Sequence, residues 1–229
     1  WGPQPSTSGP VYIGAIVMFL FVLGLFLIKS PIKWALFGVT ILAVFLSWGN
    51  HFNSLTDLFL HYFPAYNKFR TVSMILVIAE FTMPFLGFLA LKEIYEDKVS
   101  KDDFMKAFKW STGIVGGVCL LFLLVGKGMF SFAGTIDEQL VASGWPQEII
   151  NAIRQDRQNM LWNDSLRSLV FVLIGAALVF ALFKKKLKPA YFLVALGLFI
   201  TADLWVVSKR YMDNKNFVAS QMVTEPFNP

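Results

Sequence analysis

Six stretches of nearly uninterrupted apolar residues organise the chain, at approximately 11–28, 32–48, 71–91, 110–125, 169–183 and 190–207. The first holds eighteen residues without a charge, about 27 Å of helix against a hydrocarbon layer of roughly 30 Å. A helix packed on a water-soluble core keeps one polar face, and these runs keep none. Lipid is therefore the expected solvent. Inside it the backbone must satisfy its own hydrogen bonds, which segments of this length do as helices, since barrel strands are shorter and alternate in polarity. The predicted fold class is all-α: a polytopic transmembrane bundle of about six spans, with residues 1–10 as an outer loop and 209–229 as an outer segment after the last span.

The intervening segments predict shorter elements. In LTDLFLHYF the apolar positions are 55, 58, 59, 60, 62 and 63, with Asp57 and His61 between them and Pro64 behind. This pattern predicts a short helix lying along the interface. In the connection from Lys127 to Ser168, Thr135 and Glu138 have capping-box spacing and Gly144 marks a stop. Pro146 then opens a second short helix with an imperfect stripe of Ile149, Ile150, Ile153, Met160 and Leu161. Both read as half-submerged interfacial helices. The segment EIYEDKVSKDDFMKAFK mixes charges of both signs and reads as a solvated connector.

Composition agrees with a membrane setting: 56% of residues are hydrophobic, 24 are Phe, and 15% are charged, where soluble domains average about 25% charged. The formal charge of +5 would suggest nucleic acid in a soluble protein. Its location suggests otherwise, because Lys184, Lys185, Lys186 and Lys188 lie directly between two spans. No nucleic-acid partner is expected.

Alternating topology puts Lys29, Lys33, the lysines from 92 to 109 and those from 184 to 188 in one set of short connections, eleven basic residues in all. The other set has nine, spread over longer loops. Basic density near span ends makes the first set cytoplasmic, which places both ends of the chain outside. Trp34 and Trp110 then mark inner boundaries, and Trp48, Trp162 and Trp205 outer ones, where amphipathic rings favour the headgroup level. The lone Cys119 lies in the fourth span, as expected of a small packed side chain. A start at Trp1 with no basic leader, and an end in loop-like TEPFNP, lead us to expect an internal stretch of a larger membrane protein.

Charged groups in or beside a bilayer carry the candidate chemistry. Glu80, near the middle of the third span, is expected to face other helices as a relay, a substrate contact or a structural hydrogen-bonding group. Asp203, about a turn inside the outer end of the sixth span, can face an outer cavity or water. The densest polar group precedes the third span: Tyr62, Pro64, Tyr66, Asn67, Lys68 and Arg70, running into Thr71 and Ser73. Arg70 can grip a phosphate with paired hydrogen bonds while Lys68 supplies a point charge and Tyr66 and Asn67 orient ligand oxygens. Snorkelling to ordinary headgroups explains the same residues without a specific site. His51, Asp57 and His61 form no recognised ligand motif, and no metal site is assigned. Gly113 and Gly117 make a GxxxG pair, and Gly175, Ala176 and Ala177 a small-residue stretch, both read as close helix contacts within the bundle. No Walker loop, dinucleotide glycine motif, HExxH or serine elbow occurs, so no cofactor is expected.

The order of QPSTSGPVYIGA before the first span, PAYNKFRTVS entering the third and DLWVVSKRYMDNKNFV leaving the sixth resembles the YfhO-type bacterial membrane proteins, particularly their long Bacteroidetes versions. The resemblance covers nearly the whole chain. That family looks like the GT-C superfamily of polytopic glycosyltransferases. It implies transfer of a sugar from a polyprenyl-phosphate donor to a cell-envelope acceptor at the outer face of the bacterial inner membrane. It further implies a catalytic aspartate in a first outer loop, expected upstream of this chain, and a donor phosphate held by Arg70 with Lys68. A transporter or flippase using Glu80 and Asp203, and a non-catalytic assembly subunit, are the alternatives.

Overall fold

The apolar runs fold as helices whose ends fall at sequence-encoded stops. The computed structural model describes residues 11–64, 66–68 and 72–212, and among these all regular structure is helical. Helix α1 (Ala15–Leu27) ends ahead of Ser30 and Pro31, and α2 (Ile32–Ser47) ends at Gly49, which has a positive φ of 52°. Helix α3 (Asn53–Tyr62) stops before Pro64, as its amphipathic pattern predicts. A 3₁₀ turn over Val72–Leu76 leads into α4 (Val77–Tyr95). Then come α5 (Lys101–Met129), α6 (Thr135–Ala142), α7 (Gln147–Phe183) and α8 (Pro189–Ser208), the last with proline in its first turn.

Three local expectations need correction. The helix opened by Pro146 is not a separate interfacial element but the start of α7, whose 37 residues run without interruption into the fifth apolar stretch. No proline or glycine lies between Pro146 and Gly175, so nothing breaks a helix of about 55 Å. The second half of the charged connector is likewise helical: Ser100 caps α5 by accepting the Asp103 amide at 3.1 Å. Thr135 is not a cap. Gly134 occupies that position and Thr135 is the first helical residue, while Gly144 ends α6 at φ 79° as expected.

Helix α1 is the axis of the bundle. Ile16, Phe19, Leu20, Leu23 and Leu27 are all at most 4% exposed, and α1 packs on α4, α5 and α7, with α2 and α8 also touching it. Glycine sets its closest approach: a Cβ built on Gly24 would lie 2.8 Å from the Leu86 carbonyl oxygen, and one on Gly87 2.8 Å from Leu20 Cβ. Helices α2 and α4 share a buried hydrogen bond between the Thr40 and Thr82 hydroxyls at 2.7 Å. By contrast, Gly113 and Gly117 face open space, so the GxxxG pair is not a contact within this bundle. Gly175 does pack, with its Cβ position 3.1 Å from Ile16.

Among the described residues, four helices are long and apolar enough to cross a membrane: the segment Ser73–Tyr95, α5, α7 and α8. The first two expected spans, α1 and α2, are apolar helices of 13 and 16 residues. Chain connections alternate between two ends. At one end, Lys29 pairs with Asp103 at 2.9 Å and Lys185 with Asp97 at 2.6 Å, tying together the three lysine-bearing connections. Trp34, Trp48, Trp110, Trp162 and Trp205 are each exposed on the bundle's outside, so none is packed as a core residue.

Candidate functional site

The end opposite the lysines holds a chain of alternating charges. Polar α7 gives way to its apolar half just after Asp164 and Arg167, three residues apart on one face. Asp203 is near the end of α8, and Arg210 follows that helix. The residues just before α1 bring Tyr12 among them.

Asp203 is fully buried and satisfies groups from the other end of the sequence. Its carboxylate accepts the Tyr12 hydroxyl at 2.9 and 3.0 Å to its two oxygens, and the Ala15 amide at 2.7 Å. Helix α1 has no side-chain cap of its own, because its cap residue is Gly14 at φ 98°. Asp203 serves in that role from α8, placing negative charge at the positive end of the α1 dipole. A β-carbon on Gly14 would reach within 3.5 Å of Asp203 Oδ2 on a backbone that favours glycine.

Arg167 extends this arrangement. Its Nε is 3.7 Å from Asp203 Oδ1, its Nη2 is 3.6 Å from Asp164 Oδ1, and its guanidinium lies 5.1 Å from the Tyr12 ring centre. Arg210 grips both Asp164 oxygens, at 2.7 and 2.5 Å, and these hydrogen bonds raise its pKa above the ordinary arginine value. Asp164 is thus satisfied chiefly by Arg210. Arg167 is not satisfied: its Nε and Nη1 are buried without a hydrogen-bond partner among the described residues. Buried N–H donors without a hydrogen bond are costly even beside a counter-charge, and these call for an acceptor.

Those groups line a cavity of about 650 Å³ that Tyr12, Asp164, Arg167 and Arg210 share with Phe122 and Met160. A second cavity of about 460 Å³ adjoins it, with Val11, Tyr12, Cys119 and Ser168 common to both. It continues between α1 and α5 past Met18, Val22, Ile114 and Val118. The combined shape is a cavity with two arginines in a mixed wall, adjoining an apolar groove, which suits an amphiphile whose head carries acceptor oxygens.

The residues singled out from sequence fall elsewhere, Asp203 excepted. Arg70 lies outside the described residues, as does the side chain of Asn67. Lys68 is exposed on the 3₁₀ turn Tyr66–Lys68, and the Tyr66 hydroxyl is buried there without a hydrogen-bond partner among the described residues. Glu80 does not turn inward. It is exposed in the first turn of α4, where the helix dipole favours a carboxylate. Asp203 does not line the cavity but stands behind it, holding Tyr12 and Arg167. His61 Nδ1 is 2.8 Å from the Asp57 carbonyl oxygen within α3, and no three metal-ligating side chains cluster among the described residues. Sequence reasoning missed Tyr12, Asp164, Arg167 and Arg210. The available signal was an arginine one residue from an apolar run, with an aspartate inside the last span to receive it.

No protein-family model matches the chain, and no curated protein or solved structure is significantly similar to it.

Proposed function

We propose that this chain is the lipid-phosphate-holding part of a bacterial membrane glycosyltransferase, using a polyprenyl-phosphate sugar donor at the outer face of the inner membrane. The observation that carries this reading is Arg167: two buried nitrogens without a hydrogen-bond partner among the described residues, on the wall of a cavity that continues into an apolar groove. A lipid phosphate would satisfy these donors while its prenyl chain lies between α1 and α5. In this reading α1 and α2 complete six crossings, the short α1 being shielded from lipid by its neighbours, and the lysine-rich end faces the cytoplasm.

During transfer the bond between the anomeric carbon and the phosphate oxygen breaks as an acceptor hydroxyl bonds to that carbon. The hydroxyl proton passes to a base expected upstream of this chain. Charge then accumulates on the lipid phosphate, and Arg167, with Arg210 swinging from Asp164, would stabilise it more strongly than in the ground state.

The test is binding of a short-chain polyprenyl phosphate to the purified, reconstituted protein. Arg167→Lys, which keeps a positive charge beside the buried Asp203 but removes the guanidinium donors, should weaken binding by at least about tenfold, the scale of one charge-assisted hydrogen bond, in protein whose thermal unfolding matches that of the parent. Equal binding by variant and parent would remove Arg167 from the site.

A further inference from the structure

At the end opposite Arg167, α4 and α7 finish in the same kind of turn. In α7, Lys186 N–H donates to the Ala181 carbonyl at 2.9 Å and Lys185 N–H to that of Leu182 at 2.9 Å. In α4, Lys98 N–H donates to the Glu93 carbonyl at 3.1 Å and Asp97 N–H to that of Ile94 at 3.3 Å. Both are Schellman turns, whose left-handed position ordinarily takes glycine. Here it takes Lys185 at φ 54° and Asp97 at φ 55°, and the two side chains pair at 2.6 Å.

The four lysines of this turn are not equivalent. Lys184 lies over the Phe180 ring, 5.6 Å from its centre, and Lys185 is engaged by Asp97. The ammonium groups of Lys186 and Lys188 make no hydrogen bond or ion pair with any described residue, yet both residues line a cavity of about 540 Å³ between the ends of α4, α7 and α8. Its remaining wall is largely apolar, with Ile94, Leu182 and Leu187 beside a Tyr95 that is 62% exposed. With three lysines against one carboxylate, the cavity has a net positive charge.

From this we infer that the Lys186–Lys188 cavity is a binding site for the headgroup of an anionic phospholipid. The phosphodiester would take the two free ammonium groups, and the first carbons of the acyl chains would lie on Ile94, Leu187 and Tyr95. A headgroup carrying its own ammonium would have to compete with the lysines for its phosphate. A soluble phosphate would leave the apolar wall unused. This inference does not depend on the polyprenyl-phosphate reading, since it concerns the other end of the bundle.

The test uses the intact chain in nanodiscs of phosphatidylcholine containing a minor fraction of phosphatidylglycerol, measuring the enrichment of phosphatidylglycerol retained on the protein. The double variant K186Q/K188Q should lose that enrichment by on the order of tenfold, given the contribution of each basic residue near an anionic surface. The pair K106Q/K109Q removes equal charge from exposed positions on α5 at the same end and should retain it. Equal loss in both pairs would mean a diffuse field without a site and overturn the inference. So would displacement of the lipid by millimolar inorganic phosphate, which would indicate a soluble-anion site. In the unmodified chain, a photoreactive phosphatidylglycerol headgroup should crosslink to residues 94–97 and 182–189. Labelling spread evenly over all basic connections would equally refute the site.

Discussion

The Asp203 carboxylate receives the Tyr12 hydroxyl across 191 residues of sequence, with both oxygens within 3.0 Å. With the Ala15 amide on the same carboxylate, this contact fixes the entry of the central helix α1 to the exit of α8. It also sets the wall of the cavity, because Tyr12 is simultaneously a lining residue and the ring beneath Arg167. One buried aspartate thus links bundle assembly to the geometry of the candidate site.

Replacing Asp203 should therefore cost more than replacing Tyr12. Tyr12→Phe removes one hydrogen bond to a charged group, and about 1–2 kcal/mol of stability is expected to go with it. Asp203→Ala strips the Ala15 amide of its acceptor and leaves Arg167 without its buried counter-charge, so a loss of about 3 kcal/mol or more is expected. Denaturant or thermal unfolding in detergent measures both. A Tyr12→Phe penalty equal to that of Asp203→Ala would mean that the hydroxyl, and not the charge, organises this end.

Glycine-to-alanine exchange should separate the packed glycines from the open ones. At Gly24 the added carbon would meet the Leu86 carbonyl oxygen at 2.8 Å. Backbone cannot swing aside as a side chain does, so Gly24→Ala should destabilise by about 1–3 kcal/mol. Gly87→Ala meets Leu20 Cβ at the same separation and should behave alike. Gly113 and Gly117 have nothing within 4 Å, and alanine there should be neutral or stabilise by up to about 1 kcal/mol through helix propensity. Parallel unfolding curves of the four variants decide the matter.

The threonine contact between α2 and α4 should be real but small. Thr40 Oγ1 lies 2.7 Å from Thr82 Oγ1, and each hydroxyl also reaches the carbonyl four residues back, at 2.7 and 2.9 Å. Two hydroxyl hydrogens thus serve three contacts, so losing the shared one lets each hydroxyl fall back on its own helix. A double-mutant cycle with Thr40→Val and Thr82→Val should give a coupling of about 0.6 kcal/mol, the usual scale for such pairs in membrane bundles. A coupling above about 2 kcal/mol would indicate a polar network wider than this pair.

Much of the fold was legible in the sequence because apolar length is a strong signal and punctuation is local. Gly144, Pro64 and the proline opening α8 all act within a turn of where they stand. Hydropathy could not reveal that α1 is central, since a lipid-facing helix and one surrounded by apolar helices carry the same composition. It also missed the joining of two predicted helices into α7, where the change from polar to apolar residues altered the surroundings without altering the backbone. Asp203 stood out as a charge within a span, but its partners did not. Tyr12 looked like part of an apolar run, and Arg167 like one more loop cation. Only the meeting of three chain segments sets them beside one another, and no local spacing encodes that meeting.

Acid should loosen the α6–α7 hairpin selectively. Asp137 is 1% exposed, with Arg154 Nε at 3.0 Å and Arg157 Nη1 at 2.8 Å from its oxygens, and Arg157 also donates to the Phe132 carbonyl at 2.7 Å. Burial pushes the carboxyl pKa up, but the hydrogen bonds from the two arginines and the nearby backbone outweigh it and hold the carboxyl below its usual range. A folded-state pKa lower than the unfolded one means the unfolded state binds the proton first. The stabilisation is then fully present above the ordinary aspartate value of about 4 and is lost as pH falls through the depressed one. Hydrogen exchange at residues 135–142, corrected for intrinsic rates, should show protection that is steady near neutrality and declines below about pH 4. Asp137→Asn should be less protected already at neutral pH and show little further decline. Protection that stays constant into strong acid would mean that apolar contact, and not this carboxylate, docks α6 on α7.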